Sequence, residues 1–182
     1  MNRTMSIVGG VVVAVVVLIV LWSFGGEQER ATVEIDRMEM KQLVQSYSAG
    51  TLRDGSASIT SQQLIVTHDD GRQQVYDLPD EEFFVSIAPY VEQTHPCAIH
   101  SLTGCRGELV AAQFDVLIED GEGQIIIDEK MYAQPNGFID LWLPRDDSYE
   151  VTVRYEGKIA TSTISTNTGD QTCITTMQLM EG

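Results

Sequence analysis

The chain has 182 residues, enough for one globular domain or two small ones whose core needs no dense disulfide network. Eleven Lys and Arg stand against 27 Asp and Glu, a formal net charge of −16, so no nucleic-acid partner is expected, because phosphate binding needs a basic face. With 43% hydrophobic residues a multi-span membrane protein is excluded, and three cysteines are too few for a disulfide scaffold.

The N-terminal segment is strongly apolar. Residues 7–24 form a run without a charge, which at ~1.5 Å per helical residue spans roughly 27 Å, close to the thickness of a bilayer core. Arg3 before the run predicts an N-terminus inside and the remaining chain outside the cytoplasm. Residues 1–26 are therefore predicted to be a transmembrane anchor, or a signal segment whose cleavage would give a secreted form. Either alternative places residues 27–182 on the extracytoplasmic face of the membrane.

Residues 27–94 are predicted to form a small α+β region of helix, β-hairpin and helix. Apolar residues at i, i+3, i+4 and i+7 predict a first helix near residues 40–47, with Gly50 as its stop. Three apolar segments between residues 57 and 78, with an Asp-Asp-Gly turn before the last, predict strands. Pro79 and the three acidic residues after it predict the start of a second helix. Its apolar face would consist of Phe83, Phe84, Ile87, Tyr90 and Val91.

Residues 95–182 are predicted to form a small antiparallel β-sandwich. Apolar residues alternate over residues 110–118, and turn signals at 120–123 and 135–137 separate the strands that follow. Short strands at this spacing favour a sandwich, and the pattern resembles the transthyretin-like sandwiches, a likeness of fold alone. The predicted fold class is therefore α+β, with an N-terminal membrane helix and a C-terminal sandwich.

The segment 94–108 carries the candidate metal site. Soft thiolates with imidazoles nearby select Cu(I), or else Zn(II), although a Cys-x7-Cys spacing is not that of a zinc finger. The candidate ligands are His95, Cys97, His100 and Cys105, joined by Cys173 from the last predicted strand.

The spacing of these residues leaves other interpretations open. In an oxidising compartment two of three cysteines commonly pair, which would give an extracellular structural or interaction module stapled by one disulfide. A thiol–disulfide exchange protein would carry Cys-x-x-Cys on a thioredoxin-like unit, and the sequence contains no such motif. The motifs of hydrolases, phosphate-binding loops and dinucleotide sites are also absent from the sequence. No enzyme is therefore expected.

The run HPCAIHSLTGCRGEL at residues 95–109, with the late Cys173 on a Thr-rich strand, resembles the CueP family of copper-binding periplasmic proteins. The likeness extends over about residues 40–179. It implies copper tolerance in the cell envelope, with Cys97, Cys105 and Cys173 as copper ligands and His95 and His100 flanking them.

The same resemblance implies what happens to the copper. Thiols would reduce Cu(II) stoichiometrically, and Cu(I) would pass to a client such as a superoxide dismutase. Zinc is the alternative metal. Whether the protein forms a homodimer stays open. The predicted anchor departs from the family, whose members carry a cleaved export signal, and would tether copper capture to the outer face of the membrane.

Overall fold

The structure, a computed structural model, describes residues 30–182, which form one α-helix and thirteen β-strands. The helix α1 is Arg37–Ser48, and the strands are β1 (Arg30–Thr32), β2 (Ser56–Ile59), β3 (Gln63–Thr67), β4 (Gln73–Asp77), β5 (Glu82–Ile87), β6 (His100–Ser101), β7 (Gln113–Glu119), β8 (Ile125–Tyr132), β9 (Ile139–Pro144), β10 (Ser148–Tyr155), β11 (Lys158–Ser165), β12 (Cys173–Ile174) and β13 (Met180–Glu181). The predicted membrane segment at residues 7–24 lies outside the described residues. Among the described residues, no helix has the length and apolar character to cross a bilayer.

Helix α1 confirms the helix predicted near residues 40–47. Asp36 is its N-cap, and the carboxylate accepts hydrogen bonds from two N–H groups of the first turn, each at 2.8 Å. Gly50, with φ +68°, follows the helix in the left-handed conformation that commonly ends one. The face turned inward carries Met40, Val44, Tyr47 and Ser48.

Replacing Asp36 with alanine is expected to lower the free energy of unfolding by about 1 kcal/mol, because two N–H groups of the helix lose their acceptor. Chemical denaturation followed by circular dichroism measures the change. Asp128→Ala, which removes an exposed carboxylate from β8, is the matched control and should change the free energy by less than about 0.5 kcal/mol. Equal losses for the two variants would contradict the capping role.

The first sheet has the strand order β1-β4-β3-β2-β6. Strands β2, β3 and β4 are antiparallel neighbours, which confirms the strands predicted between residues 57 and 78. The short strand β6 pairs with β2 at one edge of the sheet, where His100 lies opposite Ile59. Helix α1 packs on this sheet in a core that contains Ala57, Ile59, Leu64, Val66, Tyr76, Leu78 and Leu102.

Strand β5 occupies the segment for which a second helix was predicted, so that prediction was wrong. β5 is the central strand of a three-stranded sheet with the order β12-β5-β9. Phe83, Val85 and Ile87 face one hydrophobic core, whereas Phe84 faces the core under α1. A strand that is buried on both faces loses the alternation by which strands are recognised, and its apolar run then looks like that of a buried helix.

The third sheet, of order β13-β11-β10-β7-β8, packs against the three-stranded sheet. Strands make up 44% of the described residues and helix 8%, so the predicted α+β class was wrong and the fold is β-rich, with three sheets. The two facing sheets also differ from the predicted antiparallel, transthyretin-like sandwich. The reason is that β5 lies at the centre of one of them and pairs in parallel with β12.

Candidate metal centre

The segment with the candidate ligands is fixed to the edge between the first sheet and the three-stranded sheet. Thr172, which is 1% exposed, makes three hydrogen bonds to the ligand-bearing loop and to β2. Its N–H donates to the carbonyl oxygen of Ala98 at 3.0 Å, and its hydroxyl donates to that of Ile59 at 2.6 Å. The same hydroxyl accepts from the N–H of His100 at 3.0 Å. Thr172 thus holds the loop beside Cys173, the next residue in the chain.

The three thiols converge at this edge. The sulfurs of Cys97 and Cys105 are 3.6 Å apart, and both residues are half-buried. Cys173 is fully buried and packs with these two thiols and with Ala88 and Phe138. All three cysteines are free, because a disulfide would need sulfurs about 2.05 Å apart. The single disulfide of the alternative interpretation is therefore not present in the structure.

Both predicted histidines lie in the same cluster. The Nδ1 atom of His100 is 3.4 Å from the sulfur of Cys173, and the imidazole of His100 is fully buried. Two groups of donor atoms have all their members within 4.8 Å of one another. One group is His95, Cys97 and Cys105, and the other is His100, Cys105 and Cys173. The structure thus brings together all five residues that the sequence singled out, with Cys105 common to both groups.

An aromatic wall closes the buried side of the cluster. The ring of Phe138 stacks at a tilt on His100, with centroids 4.5 Å apart, and meets His95 edge-on at 6.3 Å. Phe84 lies 6.2 Å from His100. Phe138 is itself fully buried, so water is kept from this side of the thiols. The cluster is therefore open to solvent only on the side of the half-buried residues His95, Cys97 and Cys105.

The three thiols differ in acidity. Cys173 donates a hydrogen bond to the sulfur of Cys105, which lowers the pKa of Cys105 far below that of an ordinary thiol, and the contact with His95 acts in the same direction. The contact with Cys105 raises the pKa of Cys173, and burial raises the pKa of Cys97. The first negative charge of the cluster therefore falls on Cys105, the sulfur that both donor groups share.

The donor atoms fit a soft metal ion. Two sulfurs bound to one ion at about 2.3 Å lie roughly 3.8 Å apart in tetrahedral geometry, close to the 3.6 Å between Cys97 and Cys105. Thiolate and imidazole donors favour Cu(I) and Zn(II) over hard cations, which take oxygen ligands. The remaining histidine, His68, lies apart from this cluster in the loop after β3, where it bonds to Asp54 at 2.9 Å and to Gln74 at 3.0 Å.

Sequence reasoning missed the residues that support this cluster. Thr172 and Phe138 are common types in β-proteins, and nothing in their spacing marks them. Only the adjacency of Thr172 to Cys173, and of Phe138 to a strong turn signal, could have pointed to them. Their importance comes from the pairing of distant strands.

Comparisons with known proteins agree with this chemistry. A family model described as "Periplasmic copper-binding protein CueP" matches residues 35–178. The crystal structure of S.CueP is similar to this chain, with a TM-score of 0.72 and 33% sequence identity, over 90% of this chain and 96% of that one. No curated protein sequence matches the chain.

Proposed function

The chain belongs to the CueP family of periplasmic copper-binding proteins, and from that premise we propose that it captures Cu(I) with Cys97, Cys105 and Cys173 outside the cytoplasm. The observation that carries the proposal is the position of Cys105. Its sulfur lies within 4.8 Å of two imidazoles and two further thiols, so one ion can be bound by several of these donors at once.

The cluster offers a path for the ion from its exposed to its buried end. His95 and Cys97 are the half-buried donors at the entrance, and Cys173 and His100 are the buried donors at the far end. Cys105, which loses its proton most readily, attracts the cation first. The ion then exchanges the donors at the entrance for those inside, while the Cys105 thiolate stays bound.

Reduction of Cu(II) would use two of the thiols. Cys97 and Cys105 are suited to this step, because their sulfurs are 3.6 Å apart and both residues are half-buried on the open side of the cluster. Forming the S–S bond between the Cys97 thiol and the Cys105 thiolate releases two electrons and one proton, and the electrons convert two Cu(II) ions to two Cu(I) ions. Cys173 and His100 remain to hold one of the Cu(I) ions. The protein is consumed in this reaction, so it acts as a stoichiometric reductant rather than an enzyme.

The client is proposed to be a copper-dependent protein of the same compartment, such as a superoxide dismutase. Release to a client needs an accessible ion, and the half-buried entrance at Cys97 and His95 provides that access. Two further expectations, that the protein forms a homodimer and that residues 7–24 attach it to the membrane, stay predictions from the sequence. The acidic surface, with its net charge of −16, raises the local concentration of cations around the entrance.

An anaerobic Cu(I) titration tests the proposed site. The reduced full chain, kept in a mild detergent, is titrated against a chromogenic competitor and is expected to bind one equivalent tightly. Cys97→Ser, Cys105→Ser and Cys173→Ser should each weaken binding by more than the roughly 10- to 100-fold that loss of an outer-shell partner costs. Anaerobic Cu(II) should in turn remove two thiols for every two Cu(I) ions formed.

His68→Gln is the matched control, because His68 lies in the loop between β3 and β4, outside the thiol cluster, and its loss should leave Cu(I) binding unchanged. Binding no stronger than that of the competitor would contradict the proposal. A site that retains Zn(II) in the presence of excess Cu(I) would assign the cluster to zinc. Thiol loss well below the amount of Cu(I) formed would contradict the reduction step alone.

A further inference from the structure

A row of three polar side chains crosses the three-stranded sheet next to the metal centre. Cys173 on β12 lies opposite Ser86 on β5, and Ser86 lies opposite Asp140 on β9. Residues directly opposite on neighbouring strands point to the same face of a sheet. The Ser86 hydroxyl donates to Oδ1 of Asp140 at 2.6 Å, so the carboxyl group is held within this row.

His100 packs on the same row of side chains. Its Nδ1 atom meets the Cys173 end, at 3.4 Å from the sulfur. The imidazole also interacts electrostatically with Asp140, at the other end of the row. Since Nδ1 faces the thiols, Nε2 is the nitrogen available to the carboxyl group. The ring of His100 therefore lies between the metal centre and Asp140.

Three polar atoms around this ring are buried without a hydrogen-bond partner within residues 30–182. They are Nε2 of His100, Oδ2 of Asp140 and Oγ of Ser48. Burial raises the pKa of the Asp140 carboxyl group, and the nearby hydroxyl of Ser48, at the end of α1, acts against that rise. Leaving a buried polar atom unpaired costs about 1–3 kcal/mol, so three neighbouring ones call for an explanation. Together they supply the two to four polar contacts that a buried water molecule requires.

We propose that Asp140 is a positioning residue for the metal centre. Through a water molecule shared with Ser48, it fixes the His100 imidazole in the tautomer that carries its proton on Nε2. Nδ1 then presents its lone pair to the thiol cluster, where a copper ion can accept it. This inference rests on the proposed function, because it assigns a role to a residue behind the same site.

Such a residue is useful because the two ring nitrogens of a histidine are chemically similar. A neutral histidine carries its proton on either nitrogen, and only the unprotonated one can bind a metal. An acceptor on the Nε2 side favours the tautomer with a free Nδ1, and it also holds the plane of the ring. Histidines that bind metals commonly donate their other N–H to a carboxylate, a carbonyl or a water molecule.

The tautomer can be measured in the metal-free protein. Two-bond proton–nitrogen correlations of the full chain, labelled with ¹⁵N and kept in a mild detergent, distinguish protonated from unprotonated ring nitrogens. We expect His100 of the unchanged protein to be protonated on Nε2. Asp140→Leu should abolish this preference and weaken Cu(I) binding about 10- to 100-fold. Asp140→Asn, whose amide oxygen still accepts a hydrogen bond, should restore the tautomer and most of the affinity.

Asp128→Asn, on the exposed face of β8, is the matched control and should change neither quantity. Ser48→Ala removes one contact of the water and should shift the tautomer in the same direction by a smaller amount, which keeps the test open if Asp140→Leu fails to fold. An unchanged tautomer in both variants would overturn the inference. If the tautomer shifts as expected but the unchanged protein binds no Cu(I), the proposed function fails and the hydrogen-bonding role of Asp140 stands.

Discussion

Alanine in place of Gly137 is expected to lower the free energy of unfolding by more than about 2 kcal/mol and to weaken Cu(I) binding. Gly137 has φ +83°, a conformation that costs an alanine roughly 1–2 kcal/mol. A Cβ there would also lie 2.6 Å from the carbonyl oxygen of Gly107, closer than side-chain carbons approach backbone atoms. Because Gly107 donates its N–H to the carbonyl oxygen of Asn136 at 2.7 Å, the overlap would displace the chain that carries Cys105.

Variants at two other glycines separate the two contributions to the loss of stability in Gly137→Ala, the cost of the positive φ and the cost of the steric overlap. Gly123, in the turn between β7 and β8, has φ +79°, and no atom of the described residues lies within 4 Å of its Cβ position. Gly123→Ala should therefore cost only the conformational part and leave Cu(I) binding unchanged. Gly107→Ala meets the backbone of Gly137 and should weaken Cu(I) binding as Gly137→Ala does. Equal losses of stability for Gly123→Ala and Gly137→Ala, with copper binding intact in both, would contradict the role of the close approach.

The contact between Gly107 and Gly137 shows why the site could be recognised only in part from the sequence. The ligands themselves were recognisable, because cysteine and histidine are rare in this chain and four of them lie within eleven residues. The approach of the two glycines depends on how the turn before β9 packs against the loop after Cys105. No local pattern encodes such a contact between distant segments.

The same limit explains the error at Phe83 and Phe84. Strands with one buried and one exposed face alternate apolar and polar residues, and they were predicted from that alternation. β5 carries apolar side chains towards two different cores, so its sequence shows no period of two. Asp140 and Thr172 were missed for a related reason. They are ordinary strand and loop residues until the pairing of β5 with β9 and β12 places Thr172 beside the thiols and Asp140 in the row of side chains behind His100.

Alkylation of Cys105 is expected to stay fast in mildly acidic solution. An ordinary thiol with a pKa of about 8.5 is half ionised at pH 8.5 and about 0.1% ionised at pH 5.5, so its reaction with iodoacetamide slows about 500-fold. The hydrogen bond from Cys173 lowers the pKa of Cys105 far below this range, so Cys105 keeps its thiolate over the whole interval. Cys97 and Cys173, whose pKa values are raised, should react slowly throughout.

Mass spectrometry of peptides from the metal-free, reduced protein measures the three rates separately. In urea all three cysteines should follow the ordinary pH profile, which is the reference for the folded state. Cys173→Ser replaces the donor by a hydroxyl and Cys173→Ala removes it, so only the alanine variant should raise the pKa of Cys105 and slow its alkylation at pH 5.5. A profile for Cys105 in the folded protein like that in urea would show that the cluster does not stabilise its thiolate. Copper would then have to displace a proton from every thiol, and capture would weaken steeply as the pH falls.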